Sequence, residues 1–365
     1  MGKKVLVGMS GGVDSSVAAL MLKEQGYEVM GCTLRLYDNS DIGQSAERGC
    51  CSLDDVEDAA SVCRRIGIDH ITLNFTDRFR EKVMKPFAES YIKGEIPNPC
   101  IECNRHIKFD MMLRQAELLG FDCIATGHYA GIREADGKRQ LIRPADKKKD
   151  QTYVLCFMTQ YQLAHTVFPL WGTEKSQIRQ IAEEKGLINS RKPDSQDICF
   201  VPAGDYAEFI ERFSGYSSRE GDFISEDGEV MGRHSGYIKY TIGQRKGLGA
   251  AFGQPVYVTG KNPSDNTVTL SPRALTAKSV YLREFNMISG EKLTEPMAVS
   301  GKIRYNSAEQ SAVIYPPDER GIYRVEFDEP VKNPAAGQTC ALYSGERVIG
   351  GGIINGIKEA DGYGC

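Results

Sequence analysis

The stretch Lys3-Lys4-Val5-Leu6-Val7-Gly8-Met9-Ser10-Gly11-Gly12-Val13-Asp14-Ser15-Ser16 decides how the rest of the chain is read. Lys3–Met9 is a short apolar run of the length of a buried strand. Val13–Gln25 follows with a helical period, Val13, Val17, Leu20 and Met21 falling on one face. The turn between them is rich in glycine, so the backbone can come close to a ligand, and the helix that opens after it points its first amides outward. Such a turn binds anions. It lacks the Lys-Ser or Lys-Thr pair of a Walker A loop, and its glycine spacing is not that of a dinucleotide fingerprint. Asp14 beside an anion makes sense if a cation is shared there, which makes it a candidate Mg²⁺ ligand. The plainer alternative is a tight turn in which Asp14 and Ser15 only cap a helix.

Outward from this turn, strands and helices alternate. Tyr27–Leu34, Ile71–Phe75 and Cys123–Thr126 read as strands, and Leu53–Ile66, Arg80–Lys93, Arg105–Leu119 and Thr173–Leu187 as helices. Repeated βα units predict a parallel sheet covered on both faces, with ligands at the carboxyl ends of its strands. Two long loops, Tyr37–Ser52 and Gly94–Asn104, interrupt the pattern and are candidates for function. Beyond about Asp205 glycine and turn residues multiply. Tyr237–Ile242 and Pro255–Thr259 read as strands, followed by Ala298–Tyr305, Ser311–Tyr315, Ile322–Phe327, Thr339–Tyr343 and Val348–Ile354, the texture of a small β-barrel or sandwich.

The chain has 365 residues, enough for two or three domains, with 41% hydrophobic and 26% charged residues, a composition that excludes wholesale disorder. A net charge of −4 excludes a globally basic coat, though not a basic face. No apolar run approaches the ~20 residues of a membrane span, and Val5–Met9 is too short for a secretory signal, so no membrane partner and a cytoplasmic location are expected. Eleven cysteines without such a signal make a disulfide framework improbable. Cys32, Cys63, Cys123, Cys156 and Cys340 lie in apolar stretches and read as small core residues; Cys50, Cys51, Cys100, Cys103 and Cys199 lie in polar, turn-rich sequence and are candidates for chemistry. Cys100-Ile101-Glu102-Cys103 is open to three readings: half of a zinc site with Cys50-Cys51 or His106 nearby, reactive thiols in an exposed loop, or inert thiols.

The Ser-Gly-Gly-x-Asp-Ser turn resembles the PP-loop of the ATP pyrophosphatase superfamily. Taken with Pro97–Phe109, Ala125-Thr126-Gly127-His128-Tyr129, Lys149-Asp150-Gln151, Asp194–Phe200, Tyr240–Gly249, Arg304-Tyr305 and Gly337-Gln338, the whole chain resembles the tRNA-specific 2-thiouridylase family. The resemblance implies an α/β fold: a Rossmann-like parallel-sheet PP-loop domain over residues 1–205, a small central tRNA-binding domain over 206–280 and a C-terminal β-barrel over 281–365. It implies ATP-dependent replacement of the C2 oxygen of the wobble uridine by sulfur, in tRNAs that read Lys, Glu and Gln codons. By position, Gly8, Met9, Ser10, Gly11, Gly12, Val13, Asp14, Ser15, Leu34 and Gly127 would bind ATP with Mg²⁺. Cys103 would be the nucleophile and Cys199 the persulfide carrier. Asn98, Pro99 and Cys100 would face the target base, and His128, Lys149, Asp150, Gln151, Arg304, Tyr305 and Gln338 would contact tRNA. A cysteine desulfurase or sulfur-relay protein would donate the sulfur. Some relatives have Asp where this chain has Cys100, which puts a universal carboxylate base in doubt. Three thiols at one site could also hold an iron–sulfur cluster, the less favoured of the two mechanisms.

Charge agrees with an RNA partner. His234–Arg283 holds seven Lys/Arg and one acid, a net of +6, and Lys147-Lys148-Lys149 adds a second basic cluster. Two rival readings remain, an amidating PP-loop ligase, which needs no thiols, and an RNA-binding scaffold that uses ATP as a structural ligand.

Overall fold

The computed structural model describes residues 2–43, 53–193, 197–201 and 204–359. Cys50, Cys51 and Asp194–Gln196 fall outside the described residues. The N-terminal strands β1 (Lys4–Gly8), β2 (Glu28–Arg35), β3 (Asp69–Asn74), β4 (Cys123–Thr126) and a short β7 (Thr166–Val167) form one parallel sheet in the order β3-β2-β1-β4-β7. Helices α1 (Val13–Glu24) and α2 (Leu53–Ile66) connect the first three strands. The chain moves from β1 to β2 on one side and places β4 on the other, so the crevice for a ligand opens at the carboxyl end of β1, where the Gly-rich turn lies.

The helical runs are longer and less regular than their periodicity predicts. Thr76–Phe79, a π-helical Arg80–Met84 and Lys85–Ile92 are continuous, and Pro99–Glu102, a π-helical Cys103–Met111 and Met112–Leu118 form a second such run. The expected loop Gly94–Asn104 therefore ends at Asn98. Its side chain accepts from Cys100 N at 3.1 Å and Pro99 occupies the first turn, where its missing N–H costs nothing.

The second half contains two β structures. Strands β8 (Gly221–Ile224), β9 (Val230–His234), β10 (Tyr257–Asn262) and β11 (Thr267–Ser271) make a four-stranded sheet in the order β10-β11-β8-β9. The expected strand Tyr237–Ile242 is instead a 3₁₀ turn, Tyr237–Lys239, and irregular chain. Tyr237, Ile238, Tyr240 and Ile242 are all buried, without the alternation of a half-buried strand, between Gly236 and Gly243 at positive φ.

Strands β12 (Thr276–Met287), β13 (Met297–Lys302), β14 (Gln310–Tyr315), β15 (Tyr323–Lys332), β16 (Thr339–Ser344) and β17 (Arg347–Glu359) pair antiparallel, and β12–β17 pairing closes them into a barrel. The barrel core is Val280, Leu282, Ile314, Val325, Phe327, Leu342 and Ile354. β12 runs through residue 280 without a break. A hairpin from the first half of the chain, β5 (Gly131–Ala135) and β6 (Lys138–Ile142), joins the edge of this barrel through Ile142 opposite Arg347. Among the described residues no helix is long and apolar enough to cross a membrane.

Candidate functional site

The turn after β1 is shaped by close approaches. Gly11 has φ +71°, and a Cβ there would stand 2.9 Å from Asp55 O. Gly12 is the N-cap of α1 and offers no side-chain acceptor, so the first-turn amides stay available. Ser10 and Ser15 fold back on the turn: Ser10 N donates to Ser15 Oγ at 3.2 Å, and Ser15 Oγ donates to Gly12 O at 3.0 Å. Gly127, just past β4, meets α1 head-on, where a Cβ would lie 2.7 Å from Ser15 N and 2.8 Å from the Asp14 carbonyl carbon. Leu34 lies one residue before the end of β2, at the same end of the sheet and two residues beyond Cys32, whose partner on β1 is Gly8. Gly8 to Ser15, Leu34 and Gly127 thus come from three strand ends to one crevice.

Three residues that sequence reasoning did not assign complete it. Lys175 Nζ donates to both carboxylate oxygens of Asp14 at 2.7 Å, and Tyr129 OH donates to Asp14 Oδ1 at 2.8 Å. Asn189 Nδ2 donates to Gly11 O at 3.0 Å and to Ser16 Oγ at 2.8 Å. Lys175 is 161 residues from Asp14, Asn189 is 178 and 173 residues from Gly11 and Ser16, and no local pattern marks either.

The uncapped helix end, the glycine cradle and the Lys175 ammonium fit a nucleotide triphosphate. They do not fit a protein-held Mg²⁺ as they stand. A carboxylate offers about four lone-pair directions, and Lys175 and Tyr129 already engage Asp14 from three hydrogen bonds, so the cation on Asp14 is an ammonium. Among the described residues no three His, Cys, Asp or Glu side chains converge as a metal-ligand set. That applies to Cys100, Cys103 and Cys199 as cluster ligands and to a zinc site with His106, which pairs with Glu102 at 3.1 Å.

The thiols sit differently from each other. Cys100, in the first turn after Asn98, is exposed as a residue, yet crowding around its thiol pushes its pKa up while the Lys108 ammonium pulls it down. Cys103 is buried at the start of the π-helical stretch rather than in an exposed loop. Cys199 is exposed on the short segment 197–201, whose position two aromatic contacts fix. Tyr37 OH donates to Cys199 O at 2.5 Å, and the neighbouring Phe200 packs edge-on against Phe79 and Phe87. The helical run holding those two rings also contacts the helix that carries Cys100 and Cys103.

The loop entering that helix is fastened to the barrel. Ile96 N donates to Ala336 O at 2.8 Å, Gln338 Nε2 donates to Ile96 O at 2.8 Å, and Arg283 grips Glu95 with two hydrogen bonds of 3.1 and 3.0 Å. Gly337 has φ +85°, and a Cβ there would fall 2.8 Å from Glu95 Cβ.

The remaining expected tRNA contacts divide into two kinds. Tyr305 is exposed, donates to Asp150 O at 3.4 Å and feels the charges of Asp150, Lys149 and Cys100, which gathers Cys100, Lys149, Asp150 and Tyr305 on one face. Gln151 is locked to Tyr129 by bonds in both directions, Tyr129 N to Gln151 Oε1 at 2.9 Å and Gln151 N to Tyr129 O at 3.1 Å. His128 is buried against Phe109 and Phe168 with Nδ1 2.7 Å from Thr126 Oγ1; burial first and Lys108 second push its pKa well down, so its imidazole is neutral. Arg304 is turned inward, its guanidinium donating to Ile242 O and Asn333 O and tying the irregular chain at Ile242 to the segment after β15. The basic segment is partly internal as well. Arg283 holds Glu95 and the Lys261 ammonium is buried, which leaves Lys239, Arg245, Lys246 and Arg273 as its exposed cations. Arg245 and Lys246 line an open cavity of about 810 Å³ with Gly247, Leu248 and Phe252.

Three family profiles match the chain in order: a tRNA methyl transferase HUP domain over residues 3–203, a tRNA methyl transferase PRC-barrel domain over 207–272 and an aminomethyltransferase β-barrel domain over 277–354. The tRNA-specific 2-thiouridylase MnmA of Clostridium acetobutylicum is 48% identical over 97% of this chain and 100% of its own length. The proteins of that name from Acetivibrio thermocellus and Clostridioides difficile are 47% and 46% identical, over 96% and 97% of this chain and 99% and 98% of theirs.

Proposed function

The chain belongs to the tRNA-specific 2-thiouridylase family, and from that premise we propose that it is a tRNA-uridine 2-sulfurtransferase acting on the wobble uridine of tRNAs of the Lys, Glu and Gln type. The observation that carries the reading is the shared framework of the two half-sites. Tyr129 touches Asp14 at the nucleotide turn and Gln151 on the face that gathers Lys149, Asp150, Tyr305 and Cys100.

ATP is a cosubstrate. The C2 oxygen of the uridine attacks the α-phosphorus, the bond to the β-phosphate breaks and pyrophosphate leaves. This turns a poor leaving group into AMP. The first amides of α1, the positive end of its dipole and Lys175 stabilise negative charge on the departing phosphates. Cys199 carries a persulfide. Its terminal sulfur attacks C2 and AMP departs; the Cys103 thiolate then attacks Cys199 Sγ, which releases the thiocarbonyl and leaves a Cys103–Cys199 disulfide. In the other order, Cys103 first frees hydrosulfide, which attacks C2. Both routes end in the same disulfide, and an external thiol must reduce it before the next turnover. A cysteine desulfurase or sulfur-relay protein supplies the persulfide. The Asn98 side chain holds the turn at Cys100, which supports a role for Asn98, Pro99 and Cys100 at the target base.

The test is mass spectrometry of nucleosides from the substrate tRNA after incubation with ATP, Mg²⁺ and a persulfide donor. The expected products are 2-thiouridine, AMP and pyrophosphate in equal amounts. ADP and phosphate as products, or unchanged turnover in Cys199→Ala, would overturn the reading; the second outcome is that of an amidating ligase.

A further inference from the structure

Two helices begin at the same place. One is α1, 12 residues long, whose uncapped end faces the crevice; the other is Lys175–Glu184, 10 residues long, which packs against α1. Both direct the positive end of a dipole there. Lys175 occupies the first position of its helix, where a cation is disfavoured by that dipole. Its side chain is only 11% exposed, and the ammonium lies 5.9 Å from the centroid of the Tyr129 ring. Two helix ends and an ammonium meet at the Asp14 carboxylate, while Asp146 and Glu174 cap the backbone of the second helix.

The backbone at Lys175 is anchored independently of its side chain. Lys175 N donates to Asp146 Oδ2 at 3.1 Å, and Glu174 N donates to Gln177 Oε1 at 2.9 Å. The stem is flexible and its base is fixed, so the ammonium can change partner without movement of the helix. Tyr129 OH remains on Asp14 when it does.

We propose that Lys175 is a phosphate-binding residue for ATP, held on Asp14 until the triphosphate enters and then transferred to the phosphate oxygens. Asp14 acts as the holding site that keeps a buried ammonium paired while the crevice is empty. Without it the ammonium would be buried and uncompensated. An anionic ligand with several charged oxygens competes well with one carboxylate for a charge-assisted hydrogen bond. The inference rests on the proposed reading of the crevice as an ATP site and assigns that site a residue outside its Gly-rich turn.

Calorimetric titration of the full chain with α,β-methylene-ATP and Mg²⁺, which reports binding without turnover, tests it. Lys175→Met is expected to weaken binding at least tenfold and to leave adenosine affinity unchanged. A bare neutralising role predicts something else: if Lys175 only cancels the charge of Asp14, the double variant Asp14→Asn/Lys175→Met regains wild-type affinity. Phosphate contact predicts that the double variant stays at least tenfold weak. Affinity of Lys175→Met within twofold of wild type, or full recovery in the double variant, overturns the proposal. If Lys175→Met does not fold, Lys175→Gln, which keeps a donor for Asp14, replaces it with the same two outcomes. Failure of wild type to thiolate tRNA while these affinities behave as stated would count against the proposed reaction and not against Lys175.

Discussion

The nucleotide turn and the thiol helix are positioned by different means. The turn is built almost entirely from contiguous sequence: a strand, two glycines and a helix start, with Gly127 pressed onto it from the neighbouring strand. The thiol helix depends on remote residues. Its entry is held by Arg283, Ala336 and Gln338 from the barrel, and Cys199 is positioned by the bond from Tyr37 and the packing of Phe200 on the neighbouring helical run. A site whose geometry is local can tolerate changes elsewhere; a site assembled across domains cannot. Variants can therefore be found that damage either half and spare the other.

The largest separation is expected from the thiols. Cys103→Ala and Cys199→Ala should each lower 2-thiouridine formation by about 10³-fold or more, since in the proposed reaction each removes a reacting atom, while ATP and tRNA affinities stay near wild type. Nucleoside mass spectrometry together with calorimetry checks this. Loss of ATP affinity in either variant would mean that the two halves share a support and would break the comparison. The mirror variant is Gly127→Ala. Its Cβ would collide with backbone at Ser15 and Asp14, so something must shift at the start of α1. A displacement on the order of 1 Å at such a site costs about 10²-fold, and the expected readout is ATP affinity, with thermal stability falling modestly. An unchanged ATP affinity would show that the approach of Gly127 to α1 is not critical.

This division also explains what the sequence made legible. The turn was readable because its own residues, from Gly8 to Ser15, are adjacent in the chain. Lys175 and Asn189 were not, because a lysine at a helix start and an asparagine in a polar loop look the same whether or not they point at a distant crevice. Asn98-Pro99 was a helix-start signal in plain view, yet the two prolines favoured a loop and hid it. The hairpin Gly131–Ala135 and Lys138–Ile142 carried its turn in Asp136-Gly137, but charged residues on its outer face obscured the strand pattern. Tyr237–Ile242 failed the other way. Its aromatic and β-branched residues favour a strand, but tertiary packing drew them all to one side.

A smaller effect is expected at the seam beneath the thiol loop. The Lys261 ammonium is buried without a hydrogen-bond partner, 5.6 Å from the Tyr91 ring centroid, and burial pulls its pKa down to about 8. An unfolded lysine titrates near ~10.4. Between those values the unfolded chain binds the extra proton, so stability should rise with pH from about 8 to 10.4, and below 8 the full cost of burying the charge is present. Lys261→Met should therefore stabilise the protein by about 1–3 kcal/mol at pH 7 and lose that advantage by pH 10.5. Urea denaturation at both pH values measures it. An advantage that grows with pH would show that the ammonium is not the destabilising group.

The smallest effect separates the two regions most finely. Arg283 and Glu95 are partly exposed, so their ion pair is worth about 1 kcal/mol or less toward stability. Its value lies in where it acts. Glu95 immediately precedes Ile96, whose amide and carbonyl both bond the barrel, and Asn98, which starts the thiol helix, follows two residues later. Arg283→Met frees one of three fastenings and loosens Asn98–Cys103 against the barrel. Thiolation should fall by about three- to tenfold, a cost of the size expected for partial loss of orientation. ATP affinity should not change, because no contact of Arg283 reaches the Gly-rich turn. Glu95→Gln should give a similar loss, and the double variant should be little worse than either single one, because the two residues act as one pair. Single-turnover thiolation and ATP titration on the three variants decide it. Equal losses in both measurements would show that the barrel supports the nucleotide turn as well, and the contrast between a local and a fastened half-site would fail.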